Sequence, residues 1–313
     1  MKDALSDLPC FTQIASISKI VSGLSQHCFK VAADNKVYFA KTISNNTEVS
    51  VTESAGKSGL SPSLVYHDQH WLITHFIDAD NLALNTLKPD NKIHHAIKLM
   101  VQCHQLNVKP AELSAKDIIK SLLHNSPYPM GQKTGLLKLA DVILAPLNKS
   151  RNSVCCHGDL NFSNVLINLE QRTWLIDYEC ACTAPIEYDL AMFIAVNSLA
   201  SDDITLIIEQ YEVQSAVDVD SKLLNDYLLF CYFINALWYF NTYHEKTDTS
   251  GTNTKSTNAK NTYIESKQAL LKHGQRQCYA LESLLKVEDS PLLSRLGIKF
   301  TDILTTFDFS NQT

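Results

Sequence analysis

The most informative stretch of the sequence is His157-Gly158-Asp159-Leu160-Asn161-Phe162-Ser163-Asn164. It follows an apolar run at 154–156 and leads into a short β-branched strand at 165–167. Asp159 and Asn164 are five residues apart in the loop between these runs, so both side chains can face one cavity. The stretch therefore predicts a polar site where a loop meets a small β structure.

A second acid, Asp177, ends a predicted strand at 174–176 that pairs back toward the same loop. Two carboxylates and an amide oxygen then converge, and these are the hard donors that Mg²⁺ prefers together with phosphate groups. In kinase-type phosphoryl transfer, one Asp orients the nucleophile while an Asn and a second Asp hold Mg²⁺. A plain turn followed by a strand-end acid is the alternative, but two ordered motifs at this separation favour the chemical interpretation.

Residues 157–191 resemble the aminoglycoside phosphotransferase and choline kinase superfamily, which shares the protein-kinase fold. The run Ile176-Asp177-Tyr178-Glu179, followed by Tyr188-Asp189-Leu190-Ala191, is more similar to the choline and ethanolamine kinase branch than to the aminoglycoside branch. A bacterial thiamine kinase-like branch is close behind. The resemblance implies ATP and Mg²⁺ as cofactors and the hydroxyl of a small amine-bearing, cationic alcohol as acceptor.

The same resemblance implies roles for single residues. Asp159 would be the catalytic base, and Asn164 and Asp177 the magnesium ligands. His157 and Asp189 would support the catalytic loop, although Asp189 could instead be a helix-capping acid.

The order of predicted elements agrees with a two-lobed α+β fold of the protein-kinase type. Strand patterns and one helix alternate as β-β-β-α-β-β within residues 1–78, and helical patterns dominate residues 79–313. We therefore predict a small N-terminal β-sheet lobe that binds nucleotide and a larger, mainly helical C-terminal lobe for catalysis and acceptor binding. A cleft between such lobes is a natural ligand site.

The N-terminal lobe must then contact the nucleotide. Ser22, Gly23 and Ser25 lie in the turn between the first two strands, where backbone N–H groups and hydroxyls could bind phosphate oxygens. The strand at 71–77 is expected to run into the hinge between the lobes, so the backbone near Phe76 and Ile77 is predicted to meet adenine.

Lys41 follows Phe39 and Ala40 in the third strand, the position of the phosphate-pairing lysine in kinases. A lysine whose stem packs on the surface is the alternative. Its acidic partner is expected on the following helix, where Glu53 is preferred and Glu48 also qualifies.

The acceptor pocket is indicated by an aromatic helix at 223–244 and by acids near the loop. Trp238 resembles a tryptophan that lines the choline site of the family, whereas Asn235 stands where another aromatic residue is expected. Aromatic faces bind quaternary ammonium groups, although stripes at helical spacing also pack in cores. Trp238 and Glu179 are the predicted substrate residues.

Composition excludes several other classes. No G-x-G-x-x-G and no Walker phosphate loop occurs among the nine glycines, and a formal charge of −6 offers no basic surface for nucleic acid. The nine cysteines lack a C-x-x-C pair and are interpreted as free thiols, with a metal site at Cys180 and Cys182 as the weaker alternative. Without a signal-like start or a membrane-length apolar run, we expect a cytoplasmic protein without a membrane span.

Two other functions remain open. An antibiotic phosphotransferase would have a wide, acidic acceptor pocket, and a catalytically inactive kinase-fold binding module would lack Lys41, Asp159, Asn164 or Asp177, all of which are present. The sequence leaves open the identity of the acceptor, the oligomeric state and the role of the tail after residue 287.

Overall fold

The chain forms two compact units, seen in a computed structural model that describes residues 5–20, 27–43, 45–148, 152–248 and 257–287. Of these, residues up to Leu113, from Asn152 to Asp189 and from Asp202 to Asp218 belong to the first unit, and the others to the second. Residue 78 lies inside the first unit, and the division of function at that point stays a prediction.

The strands of the first unit form three antiparallel sheets. The largest has the order β1-β2-β3-β5-β4, while β6-β8-β9 and β7-β10 are small. The strands are β1 (Ile14–Ile20), β2 (Cys28–Ala33), β3 (Lys36–Thr42), β4 (Leu64–His67), β5 (Trp71–His75), β6 (Asp80–Asn81), β7 (Val154–Cys156), β8 (Val165–Ile167), β9 (Thr173–Leu175) and β10 (Cys182–Ala184).

Helices dominate the chain after the first sheet. They are α1 (Asn46–Ser58), α2 (Pro89–His104), α3 (Ala115–His124), α4 (Met130–Leu144), α5 (Ile186–Val196), α6 (Ser201–Ser215), α7 (Ser221–Asp248) and α8 (Thr257–Val287). The prediction of a protein-kinase-like α+β fold, with an N-terminal sheet and a mainly helical remainder, is confirmed. Within the described residues, none of the helices is both long and apolar enough to cross a membrane.

The hairpin between β2 and β3 shows how local sequence builds the large sheet. Its two turn residues, Asp34 and Asn35, have φ of 51° and 60°, the left-handed values that a two-residue hairpin turn needs. The register then pairs Ala33 with Lys36 and Cys28 with Lys41. Alternate side chains form a buried apolar cluster with the N-terminal segment: Leu5, Leu8, Phe11, Phe29, Val31, Ala33, Tyr38, Ala40, Trp71 and Ile73.

Helix α1 connects β3 to β4. Its sequence pattern predicts a helix over 47–57 with Asn46 or Thr47 as the cap, but the helix begins one residue earlier, at Asn46. The cap is Asn45, whose side-chain oxygen accepts a 2.9 Å hydrogen bond from the Glu48 N–H, and neither Asn46 nor Thr47 caps the helix. Gly59 ends it in the left-handed conformation with φ of 79°.

The second unit packs its helices around aromatic and aliphatic side chains of α7. Helix α7 buries Leu224, Phe230 and Phe233 almost completely. Two polar side chains bridge its helices: the Asn241 amide donates to the Leu122 carbonyl at 2.8 Å, and the Gln277 amide to the Ala195 carbonyl at 2.8 Å.

Candidate active site

The loop after β7 turns sharply at Gly158. This residue has φ of 76°, a left-handed value that favours glycine, and a Cβ atom there would clash with the backbone carbonyl oxygen of Cys180. The turn brings Asp159 out of the strand direction while His157 stays fully buried behind it. The glycine in the His-Gly-Asp motif is therefore a backbone requirement.

A buried carboxylate stabilises this turn through hydrogen bonds. Asp189, at the start of α5, accepts hydrogen bonds from the backbone N–H groups of His157 at 2.9 Å and Gly158 at 2.8 Å. His104 of α2 contacts the same carboxylate at 3.0 Å and the Tyr211 hydroxyl at 2.8 Å. Burial alone would raise the pKa of Asp189, but the hydrogen bond and charge of His104 and the loop N–H groups outweigh it and lower this pKa. Asp189 thus contacts the loop that it is predicted to support.

His157 links the loop to the end of β9. Its Nδ1 accepts a hydrogen bond from the Asp159 N–H at 3.2 Å, so the proton is on Nε2, which donates to the Ile176 carbonyl at 3.0 Å. Burial lowers the pKa of His157, in agreement with this neutral tautomer. The neutral His157 side chain therefore links the loop at Asp159 to Ile176, the residue before Asp177.

The Asp159 carboxylate lies between two amides and two further acids. Its Oδ2 accepts from the Asn161 amide at 3.2 Å and the Asn164 amide at 3.4 Å. Burial raises the pKa of Asp159 to about 7; the Asn161 hydrogen bond opposes the rise, and the charges of Asp177 and Glu179 add to it. A carboxyl group with this pKa can gain or lose a proton near neutral pH.

Asp177 meets the strand lysine in the same region. Lys41 Nζ lies 2.5 Å from Asp177 Oδ1, and Lys41 also pairs with Glu48, so two carboxylates flank one buried ammonium group. Asp177 itself has φ of 73° and ψ of 67°, a left-handed conformation that is costly for a residue other than glycine.

The preference for Glu53 as the partner of Lys41 is wrong. Glu53 is exposed and pairs with Lys57 at 2.6 Å, one helical turn further on. Glu48 and Glu53 are five residues apart, which is about 140° around an α-helix, so the two side chains leave α1 in different directions. Glu48 is 1% exposed, and it is the glutamate on the Lys41 side.

A cavity of about 470 Å³ within the first unit brings several predicted residues together. Lys41, Asn164 and Asp177 line it, and so do Phe76 and Ile77, the predicted adenine contacts. The Lys30 ammonium group lies 4.2 Å from the centroid of the Phe76 ring. Ile20 and Cys28 line the cavity as well, but Ser22, Gly23 and Ser25, the predicted phosphate loop between them, lie outside the described residues.

The two predicted substrate residues have different surroundings. Glu179 follows the Asp177 turn, and its backbone carbonyl accepts a 3.0 Å hydrogen bond from the Asn45 amide. Trp238 belongs to the second unit, is 39% exposed and makes an edge contact with the Tyr239 ring at 5.1 Å. Asn235 donates to the Met192 sulfur at 3.7 Å. The roles of Glu179 and Trp238 in acceptor binding stay predictions.

The cysteines and one buried donor cluster are explained without a metal. All nine cysteines are free. Donor atoms of His104, Cys156 and Asp189 lie within 4.8 Å of one another. Hydrogen bonds already occupy both His104 nitrogens and both Asp189 oxygens, and the Cys156 thiol contacts the Ala184 carbonyl at 3.4 Å.

Sequence reasoning missed four residues that build this site: Asn45, Ser61, His104 and Tyr178. His104 lies on the apolar face of α2, and a polar side chain there signals a buried partner. Tyr178 is adjacent to a predicted ligand. Asn45 and Ser61 carried no signal beyond cap and turn chemistry.

Comparison with known proteins agrees with this geometry. Residues 91–216 match the model of a family described as the phosphotransferase enzyme family, and this range contains the loop at 157–164, Asp177 and Asp189. No curated protein matches the sequence.

Solved structures share the fold at low sequence identity. A choline/ethanolamine kinase family protein from Mesorhizobium loti has a TM-score of 0.65 and 15% identity, with 98% of this chain and 97% of that chain covered. Choline kinase LicA from Streptococcus pneumoniae has a TM-score of 0.65 and 18% identity, with 90% and 97% covered. A spectinomycin phosphotransferase, solved with ADP and spectinomycin, has a TM-score of 0.59 and 17% identity, with 86% and 94% covered.

The family match covers residues 91–216, and the solved structures share the fold over most of the chain. The resemblance to the aminoglycoside phosphotransferase and choline kinase superfamily is confirmed, and the fold is that of its members. The family match and the fold support the prediction that this chain is a small-molecule kinase, a phosphotransferase enzyme.

Proposed function

We propose that this protein transfers the γ-phosphoryl group of ATP, with Mg²⁺, to the hydroxyl of a small amine-bearing alcohol. Choline or ethanolamine is the first candidate acceptor, and thiamine is the next. The proposal depends on one observation: Lys41 and Asp177 form an ion pair in the wall of a cavity that Asn164 also lines, and Asn164 contacts Asp159.

The cavity offers suitable groups for the nucleotide. Lys41 is a buried cation on the cavity wall, where it can bind phosphate oxygens, and the apolar side chains of Phe76 and Ile77 can flank a purine base. Ser22, Gly23 and Ser25 remain the predicted phosphate loop. The solved relative with bound ADP supports a nucleotide in this fold.

The donor set fits magnesium. Asp177 supplies a carboxylate to the cavity, and Asn164 donates from its amide nitrogen to the Asp159 carbonyl at 2.9 Å, which leaves the amide oxygen as a ligand. Few protein oxygens together with phosphate groups are what Mg²⁺ prefers. When bound, the ion would neutralise charge on the phosphate groups.

Asp159 is the proposed base. Its Oδ2 is held by Asn161 and Asn164, and its Oδ1 can accept the proton of the acceptor hydroxyl. The acceptor oxygen then bonds to the γ-phosphorus, the bond from that phosphorus to the bridging oxygen breaks, and ADP leaves with the bridging oxygen. A pKa of about 7 for Asp159 suits a base that works near neutral pH.

An acidic surrounding supports a cationic acceptor. Asp159, Asp177 and Glu179 are close enough for the latter two to raise the pKa of Asp159. Trp238 is proposed to offer its ring face to an ammonium group. A cytoplasmic location, which is also proposed, would give the enzyme access to ATP.

An antibiotic phosphotransferase is the second candidate, favoured by the shared fold of the spectinomycin enzyme. The inactive binding module is the candidate from another class. It is disfavoured because Lys41, Asp159, Asn164 and Asp177 are all retained.

The test is transfer of label from γ-³²P-ATP by the full-length chain to a panel of acceptors: choline, ethanolamine, thiamine, spectinomycin and an aminoglycoside. We expect Mg²⁺-dependent product with one of the first three and loss of that product in Asp159→Asn. Product with an antibiotic alone would establish the second candidate. No product, together with no shift of the melting temperature by millimolar ATP and Mg²⁺, would favour the inactive module.

A further inference from the structure

Helix α1 is hydrogen-bonded at its N-terminal end to the turn that follows Asp177. The Asn45 side chain makes two hydrogen bonds: its oxygen caps the helix through the Glu48 N–H at 2.9 Å, and its nitrogen donates to the Glu179 carbonyl at 3.0 Å. One side chain therefore fixes the turn that carries Glu48 and the turn that follows Asp177.

The C-terminal end of the same helix is linked to the residues around Asp177 as well. The Leu60 carbonyl accepts from the Leu175 N–H at 2.9 Å, and the Ser61 hydroxyl donates to the Leu175 carbonyl at 2.6 Å. Tyr178 Oη lies 2.7 Å from Ser61 Oγ. The Tyr178 hydroxyl also lies 3.5 Å from the Leu175 carbonyl. The shortest contacts are used when Ser61 gives its one proton to Leu175 and accepts the proton of Tyr178.

Both residues are buried, and both belong to the lining of the cavity. Ser61 is 4% exposed and Tyr178 is 1% exposed. The Tyr178 ring also packs against the His157 ring, with 5.0 Å between the centroids. Loss of the hydrogen bond between Tyr178 and Ser61 would leave the buried Ser61 hydroxyl with one partner fewer, which costs free energy.

Asp177, which lies between these hydrogen-bonded residues, has an unusual backbone conformation. Asp177 has φ of 73°, and such a conformation persists in a residue other than glycine only where the surroundings hold it. Before it, Ile176 is held by hydrogen bonds to Asn164 and His157; after it, Tyr178 and Glu179 are held from the two ends of α1.

We propose that Asn45, Ser61 and Tyr178 are positioning residues that join α1 and the Asp177 turn into one rigid body. This body keeps Glu48, Lys41 and Asp177 in register before nucleotide or metal binds. The proposal rests on the proposed function, because it assumes that Asp177 binds the metal and that Lys41 binds the phosphate groups.

A purely structural role is the competing explanation, and Asn45→Ser separates the two. Serine caps a helix as well as asparagine does, so α1 keeps its cap. The shorter hydroxyl cannot span to Glu179, so only the link to the Asp177 turn is lost. Tyr178→Phe similarly keeps the ring against His157 and removes the donor to Ser61.

The kinetic test measures the half-saturating Mg²⁺ concentration and the KM values for ATP and acceptor in these two variants. We expect the Mg²⁺ requirement to rise about fivefold to tenfold, the factor for one neutral hydrogen bond, with the acceptor KM unchanged. The matched control is Ser58→Ala, because the Ser58 hydroxyl donates to the Ala55 carbonyl within α1, at 2.9 Å. It should behave as wild type.

Hydrogen exchange of the nucleotide-free protein provides a readout that needs no activity. In Asn45→Ser we expect faster amide exchange at 177–181 than in wild type, with protection of residues 49–58 of α1 unchanged. Wild-type exchange at 177–181, or a variant whose acceptor KM rises as much as its Mg²⁺ requirement, would overturn the proposal. A wild-type chain without any transfer activity would instead refute the proposed function, and the exchange result would still decide the link.

Discussion

Lys41 Nζ lies 2.5 Å from Oδ1 of Asp177, which follows it by 136 residues in the chain. Burial alone would lower the pKa of Lys41, but the carboxylates of Asp177 and Glu48 outweigh this effect and raise it. The ammonium group therefore remains charged inside the cavity wall. Removing either carboxylate leaves a buried cation with fewer partners, which is costly for both stability and nucleotide binding.

Glu48→Gln is expected to lower kcat/KM for ATP by about tenfold to a hundredfold. Gln has the size of Glu but no charge, so Lys41 would be drawn toward Asp177 alone and its orientation would change. Loss of a charged hydrogen bond should also reduce the free energy of unfolding by about 2 kcal/mol. Steady-state kinetics at varied ATP and urea unfolding measure the two effects.

The matched control for this variant is Glu53→Gln. It removes the same charge from the same helix, but at an exposed i,i+4 pair with Lys57. Such pairs contribute about 0.5 kcal/mol or less, so activity and stability should stay near wild type. Equal losses in both variants would contradict the assignment of Glu48.

The difference between Glu48 and Glu53 shows where sequence reasoning stops. The order of strands and helices, the residues of the loop and the presence of Lys41 in a strand follow from patterns of hydrophobicity and spacing. The rotation of α1 about its own axis does not, because it depends on how its faces pack, and it decides which of two glutamates meets Lys41. A helix boundary that is wrong by one residue is enough to hide Asn45 as the cap.

For the catalytic loop, the sequence predicts the residues but not their surroundings. The His-Gly-Asp motif predicts the position of Asp159, but its pKa of about 7 comes from burial and from Asp177 and Glu179, which are brought close only by the fold. The clash that makes Gly158 necessary involves Cys180, 22 residues later. Such long-range contacts leave no periodic trace in a single sequence.

Asp159→Asn is expected to abolish transfer and to stabilise the fold at neutral pH. The folded-state pKa of Asp159, about 7, is higher than the ordinary value of 3.8. The unfolded chain therefore loses this proton first as pH rises, and wild type loses stability between about pH 4 and pH 7, by a few kcal/mol at most. The variant lacks this penalty.

Thermal melting from pH 4 to pH 8 measures the effect. The melting temperature of Asp159→Asn should match wild type near pH 4 and exceed it increasingly up to about pH 7. Asp202→Asn is a control, because Asp202 is an exposed acid in the first turn of α6 and should show no such divergence. A melting temperature of Asp159→Asn below that of wild type at pH 8 would contradict a buried, costly carboxylate.

The pH dependence of the wild-type rate should follow the same group. A base must be ionised to accept a proton, so kcat/KM for the acceptor should rise with pH and level off above about pH 7. Asn161 donates to Asp159 at 3.2 Å and opposes the rise of its pKa. In Asn161→Ala the acid limb of the profile should therefore move to higher pH. An acid limb that moves to lower pH, or does not move, would show that Asn161 does not tune Asp159.

Gly158→Ala is expected to lose activity and at least about 2 kcal/mol of stability. The left-handed conformation costs a residue with a Cβ atom about 1–2 kcal/mol, and the clash with the Cys180 carbonyl adds to this because a backbone atom must move. Movement there shifts Asp159, so kcat should fall more than the KM for ATP rises. Gly135→Ala is the matched control: it lies inside α4, nothing lies within 4 Å of an added Cβ, and the substitution should stabilise the protein by about 0.5–1 kcal/mol. Urea unfolding and steady-state kinetics of both variants check this, and a Gly158→Ala protein with wild-type stability would mean that the loop does not adopt the turn described.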